Sequence, residues 1–278
     1  GKIYQYKYLD KWVDMKTQVD EIKVKGQAAV SVPLLFTRDG PVIYKNRKQA
    51  FAVRAAWLEP GMAPYFGSIE YMRAQNWDEF LAALNRWGAP AENQVYADTQ
   101  GNIGYKPAGL TPIRTNYDGL LPVPGNGAYE WHGFYDMDQL PVQYNPENGY
   151  VATANAMSLP KDFPYQEKIT GFEWANPWRI NRIREILDDT PQHNMDTSID
   201  LQRDYVSLPA RRLLQQIQIS ELPAPASTIF SQWNYQLERD SSAATLFEVW
   251  MNRHLTPMVI ATVTGIDDPA ALASLDNL

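Results

Sequence analysis

The sequence of 278 residues contains no cysteine. Thiolates act as nucleophiles in cysteine hydrolases and as ligands in many zinc and iron–sulfur sites, so the chain can host none of these sites. Disulfide bonds within the chain are excluded for the same reason. The absence of cysteine does not by itself indicate a cellular compartment.

Histidine is also scarce, with three residues in the whole chain. No two of His132, His193 and His254 have the spacing of a metal-ligand motif. The sequence also lacks a phosphate-binding P-loop, a dinucleotide-binding glycine motif, a zinc-protease motif, an EF-hand loop and a G-x-S-x-G motif. The enzyme classes that depend on these motifs therefore lose support.

Positive charge is in deficit, because 25 Lys and Arg face 32 Asp and Glu, which gives a formal net charge of −7. This balance argues against a nucleic-acid partner. No apolar run reaches the roughly 18 residues of a membrane-spanning helix, so we predict no membrane span. The first residues do not form a signal peptide, and we expect any targeting segment to lie outside this sequence.

Aromatic residues are abundant, with 9 Trp, 16 Tyr and 9 Phe. Large rings fill broad hydrophobic cores, and they also line pockets for apolar ligands or sugars. Hydrophobic residues make up 45% of the chain, which is ample for a core. The composition is therefore compatible with an enzyme and with an aromatic-rich binding module.

The first part of the chain predicts β-structure, because residues 3–57 combine alternating apolar runs with turn residues. The predicted segments are strands at Met15–Val24, Ala28–Thr37 and Ala50–Trp57, a tight turn at Arg38–Pro41, a helix capped by Asn76, and a hairpin over 94–107. The Pro- and Gly-rich stretch 107–146 predicts a long ordered loop that helps to shape a site.

The later part of the chain predicts helices, beginning with Asn176 as N-cap and Pro177 at the first helical position. Further helices are predicted over 205–219, 226–238 and 243–254, with a last one opened by Asp267. Strands first and helices later indicate an α+β fold. Residues 1–175 are then mainly strands and ordered loop, and residues 176–278 mainly helical.

One stretch combines dense turn chemistry with a short apolar run. Asn145–Gly149 reads N-P-E-N-G, which predicts a turn, and Tyr150–Thr153 predicts a buried strand. Asn155 then stands at the end of that strand. An amide held there can donate a hydrogen bond to a developing oxyanion, although position alone favours the interpretation of Asn155 as a turn residue.

Three arginines cluster on the helix predicted after Pro177, namely Arg179, Arg182 and Arg184. Arg179 lies in the first turn, where the helix dipole slightly disfavours a cation. A residue placed against a local preference is a hint of function. The pattern alone goes no further than a water-soluble α+β protein.

Beyond Asp98 the motifs resemble those of the penicillin acylase family, in the same order over most of the chain. They are A-D-x-x-G-N-I-G-Y at 97–105, G-L-T-P-I-R at 109–114, L-P-V-P-G at 121–125, E-W-x-G at 130–133, N-P-x-x-G-Y at 145–150, T-A-N ending at 155, R-I-N-R-I at 179–183, and Q-R-D-Y-V-S at 202–207, with Trp233 and D-S-S-A-A at 240–244 beyond them. T-R-D-G-P-V at 37–42 resembles the family's T-R-H-G-P-V, with Asp39 replacing the usual His.

This resemblance implies an N-terminal nucleophile hydrolase with an αββα sandwich. Such enzymes are exported precursors that cut themselves into an α and a β chain. The new N-terminal residue of the β chain, usually Ser, attacks an amide while its own α-amino group acts as general base. Gly1 has no side chain for this role. We therefore expect this chain to be the later portion of a β chain, completed by an α chain and a nucleophile-bearing segment.

The resemblance carries two catalytic roles onto this chain. Asn155 matches the family's oxyanion-hole asparagine, although Ala156 replaces the second Asn of the usual pair. Arg179 matches the arginine that orients the nucleophile's amine and the oxyanion asparagine. The resemblance also implies a structural calcium, with the Gly119 carbonyl and the Glu167 carboxylate as ligands, and no organic cofactor.

The leading hypothesis is an amidohydrolase that removes an acyl side chain from a secondary amide. Its substrate is either a penicillin-type β-lactam or an N-acyl homoserine lactone, with Asp39 and Ala156 slightly favouring a long-chain acyl amide. The family implies a periplasmic or secreted protein. The competing hypothesis is a non-catalytic aromatic-rich module for carbohydrate or apolar ligands, which should fold alone, whereas we expect residues 1–278 alone not to fold stably.

Overall fold

The computed structural model describes residues 3–62, 68–190, 192–266 and 268. The chain divides into two compact units, Gly1–Trp174 and Ala175–Leu278. In the described residues every named strand lies in the first unit, and every pair of strands is antiparallel. The second unit contains helices and one isolated bridge.

The first unit begins with a hairpin of β1 (Gln5–Tyr8) and β2 (Lys11–Asp14), followed by a sheet in the order β3-β4-β5-β6. Its strands are β3 (Lys16–Ile22), β4 (Val30–Thr37), β5 (Gly40–Lys45) and β6 (Ala50–Ala52). The predicted turn is confirmed, since Thr37 pairs with Gly40 across Arg38 and Asp39. Gly40 has φ 138°, and a Cβ there would lie 2.0 Å from the Val53 carbonyl oxygen, so only glycine fits.

Strand β3 exposes all its residues, including Val19 and Ile22. Val30 and Leu34 on the neighbouring β4 are exposed as well. Ile22 pairs with Val30, and both lie with Leu34 on one face of the sheet, whereas Val19 lies on the opposite face. Adjoining exposed apolar side chains of this kind mark a surface that another chain segment covers or that aggregates. This surface supports the expectation that the chain does not stand alone.

The central part of the first unit is built around α2 (Trp77–Leu84) after the short helix α1 (Ser68–Tyr71). Asn76 caps α2 as predicted, because its side-chain oxygen accepts the Glu79 N–H at 2.9 Å. The apolar face of α2 forms a buried cluster of Trp77, Phe80, Leu84, Trp87, Ala108, Met137 and Leu140. Burial of these side chains supplies the main driving force for folding this part of the chain.

The hairpin predicted over 94–107 is confirmed as β7 (Glu92–Ala97) and β8 (Ile103–Ala108), and β11 (Gln143–Tyr144) pairs with β8. The Asp98 carboxylate closes its loop by accepting the Gln100 and Asn102 N–H groups, both at 2.9 Å. The long loop predicted over 107–146 is more regular than expected. It contains the hairpin of β9 (Pro112–Arg114) and β10 (Trp131–Phe134) and a 3₁₀ turn at Met137–Gln139.

Lys106 on β8 is the unexpected element of this core, because its side chain is only 1% exposed. Its ammonium donates hydrogen bonds to the carbonyl oxygens of Met137 and Leu140, at 2.9 Å for Leu140. Burial lowers the pKa of Lys106 to about 8, with a smaller opposing effect from Asp138. Lys106 therefore fixes the 3₁₀ turn onto the hairpin.

The second unit consists of α3 (Trp178–Asp189), α4 (Met195–Gln202), α5 (Leu208–Leu214), α6 (Ala224–Ser231), α7 (Ser242–Trp250) and α8 (Thr256–Thr264), with a 3₁₀ turn at Ile219–Glu221 and a π turn at Met251–Leu255. Its core is the cluster Ala210, Leu214, Phe230, Trp233, Ala243, Ala244 and Phe247. Ser207 and Ser241 cap α5 and α7 through hydrogen bonds to N–H groups three residues later.

Several predicted element boundaries are wrong. The predicted helix 205–219 is interrupted, because α5 begins only after the Ser207 cap and ends at Leu214. The helix predicted to reach residue 238 ends at Ser231, and Tyr235 beyond it has φ 64°. The predicted strand Ala50–Trp57 stops at Ala52. The helix predicted to open at Asp267 lies outside the described residues.

Candidate active site

Asn155 lies in a bend of the first unit, exposed to solvent and with φ 58°. This left-handed conformation is unfavourable for most residues but accessible to Asn, whose side chain is short and polar. The preceding Ala154 is buried and anchors the bend in the unit. The turn at Asn145–Gly149 is confirmed, since the Gly149 N–H donates to the Pro146 carbonyl at 2.9 Å.

The strand predicted at Tyr150–Thr153 is wrong, because these residues have no strand conformation. An apolar, β-branched run suits a strand, but a strand also requires a hydrogen-bonded partner. Side chains hold this segment instead. Asn93 on β7 donates to the Thr153 hydroxyl at 3.4 Å, and Ser158 donates to the Ala156 carbonyl at 3.2 Å. The bend that carries Asn155 is thus fastened on both sides.

The Asn155 bend borders a cleft of about 680 Å³ within the first unit. Apolar side chains form much of its wall, including Leu120, Leu140, Pro141, Leu159, Phe172 and Trp174. Polar side chains form the rest of the wall, namely Glu92, Asn93, Tyr105, Thr111, Asn155, Ser158, Thr170 and Glu173. A cleft that combines an apolar wall with polar groups can hold a small molecule that has both kinds of surface.

Tyr105 forms part of the cleft and supports its polar network. Its hydroxyl donates to the Asn93 side-chain oxygen at 2.7 Å. Burial raises the pKa of Tyr105 to about 12, so the phenol stays neutral and remains a donor. Tyr105 therefore fixes the orientation of the Asn93 amide, which in turn contacts Thr153.

Thr170 presents a buried hydroxyl to the cleft. Its Oγ1 has no hydrogen-bond partner in the part of the chain that the structure describes. A buried hydroxyl without a partner is unfavourable by about 1–3 kcal/mol, and a bound polar group relieves this penalty. Thr170 has no periodic or motif signal in the sequence, so inspection of the sequence did not identify it.

Ser158 is the serine of this cleft, but its surroundings do not activate it. Its hydroxyl donates to the Ala156 carbonyl and lies 3.4 Å from the Thr153 hydroxyl. Neither group is a base, and an activated serine requires an adjacent imidazole, amine or carboxylate. Ser158 therefore supports the bend structurally.

Arg179 lies in the second unit, in the first turn of α3, with its side chain exposed. The helix begins one residue later than predicted, and Pro177 precedes it. The prediction of Asn176 as N-cap is wrong, because Pro177 occupies that position and offers no side-chain cap, and the Asn176 side-chain oxygen only accepts the Trp178 N–H at 3.4 Å. Arg182, one turn further along, belongs to an ion-pair network with Glu185, Asp204 and Arg211.

The two residues predicted to bind calcium line different cavities. Gly119 borders the Asn155 cleft, whereas Glu167 borders a second pocket of about 370 Å³ with Arg114, Asp118 and Gln166. Gly119 has φ 91°, and a Cβ there would lie 2.8 Å from the Arg114 Nε. Among the described residues no group of three or more His, Cys, Asp or Glu side chains is suited to a metal.

These residues do not by themselves make a calcium site, because calcium takes six to eight oxygen ligands and the second pocket offers two carboxylates beside the Arg114 guanidinium. Calcium therefore stays a prediction, in which Glu167 would be one ligand among several from elsewhere.

No helix in the described ranges combines the length and apolarity needed to cross a bilayer.

Comparison with known proteins gives a consistent result. The family model for penicillin amidase matches residues 1–276. Penicillin G acylase of Escherichia coli is 32% identical over 201 residues, which cover 71% of this chain and 23% of that protein. Acyl-homoserine lactone acylase QuiP of Pseudomonas fluorescens is 25% identical over 303 aligned positions, which cover the whole chain and 36% of that protein.

A similar fold occurs in the solved structure of a thermostable penicillin G acylase from Alcaligenes faecalis in an orthorhombic form. The TM-score is 0.77 at 23% identity, and the match covers 97% of this chain and 50% of that chain. This likeness confirms the predicted α+β fold class. The chain spans only about a quarter to a third of the length of the two curated relatives.

Proposed function

The chain belongs to the penicillin amidase family, and we propose that it is the part of an acylase that binds the acyl amide and stabilises the oxyanion. The observation that carries this proposal is the Asn155 bend, which presents an exposed amide beside a cleft with a partly apolar wall. Stabilisation of an oxyanion by a fixed donor is among the largest contributions to acyl transfer. The apolar wall suits the acyl chain of the substrate.

In the proposed reaction a serine hydroxyl from a segment outside residues 1–278 attacks the amide carbonyl, and the α-amino group of that serine takes the proton. The carbonyl oxygen becomes an oxyanion, to which the Asn155 amide donates a hydrogen bond. Collapse of this intermediate breaks the C–N bond, and the amine leaves with a proton. Water then hydrolyses the acyl-enzyme and releases the carboxylic acid.

The substrate is an acyl amide of either the penicillin type or the acyl-homoserine lactone type. Relatives with both names support these two classes. An α chain and a nucleophile-bearing segment complete the enzyme, and the exposed apolar surface of β3 and β4 supports a covering partner. We also propose that the protein is periplasmic or secreted, as the family resemblance implies.

The proposal is tested by mass spectrometry of the products that the full-length protein releases from penicillins and acyl-homoserine lactones with short and long acyl chains. We expect two fragments, the free carboxylic acid and the free amine. A single product heavier by one water would mean that the lactam or lactone ring is opened instead. That result, or no turnover of any acyl amide, would overturn the proposal.

Replacing Arg179 with lysine is expected to lower kcat/KM by about tenfold to a hundredfold. Lysine keeps the charge but loses the planar fork that holds two partners at fixed angles. The measurement is steady-state kinetics of the full-length enzyme on its best acyl amide. Arg184→Lys, on the exposed side of the same helix, is the control and should retain normal kinetics. Unchanged kinetics for Arg179→Lys would remove its proposed role.

Replacing Thr170 with valine is expected to raise KM by about fivefold to tenfold and to leave kcat within about twofold. Valine has the same shape but lacks the hydroxyl that we propose hydrogen-bonds a polar atom of the bound substrate. Thr245→Val, which removes an exposed helical hydroxyl far along the sequence, is the control. If Thr170→Val binds substrate as the wild type does, the hydroxyl does not contact the substrate.

A further inference from the structure

Helix α3 is held by a set of contacts that occupy one of its faces. Trp178, Arg182 and Glu185 are spaced four and three positions apart, so their side chains share this face. Each of them contacts a residue of the segment from Asp204 to Arg212. We call these contacts the α3 clamp.

The strongest contact of the clamp joins Arg182 and Asp204. The Arg182 Nε and Nη2 donate to the two oxygens of the Asp204 carboxylate at 2.9 and 2.7 Å, which is a bidentate pair. The side chains are 21% and 15% exposed, so solvent screens them less than a surface pair. Asp204 also accepts the Val206 N–H at 3.2 Å, which fixes its own orientation.

Two consecutive arginines of α5 complete the clamp. Arg211 donates to both oxygens of Glu185 at 2.9 and 2.5 Å, and Arg182 donates to the same carboxylate at 2.9 Å. The Arg212 guanidinium lies over the Trp178 ring, 5.1 Å from its centroid. These contacts thus hold α3 at Trp178, one turn later at Arg182 and two turns later at Glu185.

The pKa values agree with this geometry. The hydrogen bonds from Arg182 hold the pKa of Asp204 below its usual range, and those from Arg211 do the same for Glu185. Both carboxylates are therefore ionised at neutral pH, and the clamp keeps its full charge there.

Arg179 lies next to the clamp residues on α3, directly after Trp178 and three positions before Arg182. Rotation of α3 about its axis, or a shift along it, would displace the Arg179 guanidinium by a similar amount. Small displacements of a group beside the reacting atoms are costly, since a shift of about 1 Å can lower a rate about a hundredfold.

We infer that the α3 clamp sets the rotation of α3, with Arg182 and Asp204 as positioning residues for Arg179. This inference rests on the proposed function. It also accounts for the cluster of three arginines on one helix, where Arg179 acts at the site, Arg182 holds the helix, and Arg184 remains exposed.

The test uses Asp204→Asn and Arg182→Lys in the full-length enzyme, because both substitutions keep the side-chain size and break the bidentate ion pair. We expect kcat to fall about tenfold and KM to stay within about twofold. The value of kcat is calculated per titrated active site, so that unfolded protein does not contribute to the decrease. Combined with Arg179→Lys, the second substitution should add little, because both changes disturb the same group.

Arg184→Gln is the matched control, since it removes a charge from α3 without touching the clamp. Hydrogen exchange of the amides of residues 178–186 supplies a measurement that does not depend on activity. It should accelerate about tenfold in Asp204→Asn and remain unchanged in Arg184→Gln.

The outcomes separate the two proposals. Absence of acyl-amide turnover in the wild type contradicts the proposed function alone. Unchanged exchange in Asp204→Asn overturns the clamp whatever the activity. Two other results would overturn the positioning role of the clamp. One is faster exchange in Asp204→Asn with unchanged turnover per active site. The other is a decrease in kcat that adds fully to the decrease caused by Arg179→Lys.

Discussion

Replacing Asn155 with glycine is expected to lower kcat of the full-length enzyme by about a hundredfold or more, with a much smaller change in KM. The loss follows from removing a donor that acts on the oxyanion more strongly than on the ground-state carbonyl. Glycine is chosen because Asn155 has φ 58°. Alanine in that conformation would add strain of about 1–2 kcal/mol and confuse a folding effect with a catalytic one.

Asn155→Asp provides the complementary variant. Aspartate has nearly the same shape and tolerates the left-handed conformation, but it replaces the N–H donor with an acceptor that is negatively charged at neutral pH. We expect its kcat to fall at least as far as that of Asn155→Gly, because a carboxylate repels the oxyanion. Steady-state kinetics with titrated active sites provide the measurement.

The matched control is Asn145→Gly, since Asn145 also has positive φ, at 45°. Its side chain accepts the Ile103 N–H at 2.9 Å and donates to Asn102 at 2.8 Å, so its loss should lower the melting temperature. Turnover per folded enzyme should stay normal. If Asn155→Gly behaves like this control, with turnover within a few-fold of the wild type, Asn155 is a turn residue.

Replacing Lys106 with alanine is expected to lower the free energy of unfolding by about 3 kcal/mol or more. The substitution leaves the buried carbonyls of Met137 and Leu140 without their donor and opens a cavity beneath them. The methionine of Lys106→Met fills most of that space, so this variant should lose less free energy of unfolding than Lys106→Ala. Denaturant unfolding at neutral pH provides the measurement, and a loss below about 1 kcal/mol for Lys106→Ala would contradict the assigned role.

The same lysine predicts a pH dependence. Burial lowers its pKa to about 8 from the ordinary 10.5. Between pH 8 and 10.5 the unfolded state therefore binds more protons than the folded state, so the contribution of Lys106 to stability increases with pH. The stability of the wild type relative to Lys106→Met should grow over this window, and parallel pH profiles would refute the prediction.

Local sequence patterns predicted the elements that depend on local chemistry. The Asn76 cap, the hairpin at 94–107 and the turn at Arg38–Asp39 are set by residues next to one another in the chain. Turn and cap preferences act over three or four residues, which is the range that a sequence pattern reports well. The ordered motifs, likewise, were enough to predict the family and its fold.

Elements that depend on distant contacts were predicted poorly. Tyr150–Thr153 has strand composition, but the segment is fastened by Asn93, some 60 residues away in the chain. Lys106 is a charged residue in a buried strand, where its carbonyl partners lie more than 30 residues further along the sequence. Such contacts leave no pattern among neighbouring residues of the sequence. The buried Thr170 hydroxyl was not predicted for the same reason.

The wall of the cleft has consequences for redesign of acyl-chain selectivity. Leu140 and Pro141 stand on the turn that Lys106 fixes to β8, so substitutions there act against a rigid backing. Phe172 and Trp174 follow a loop fastened through the Tyr165 hydroxyl and the Gly171 carbonyl. Since the proposed function places the acyl chain in this cleft, libraries that vary Leu140, Phe172 or Trp174 should shift chain-length preference in discrete steps.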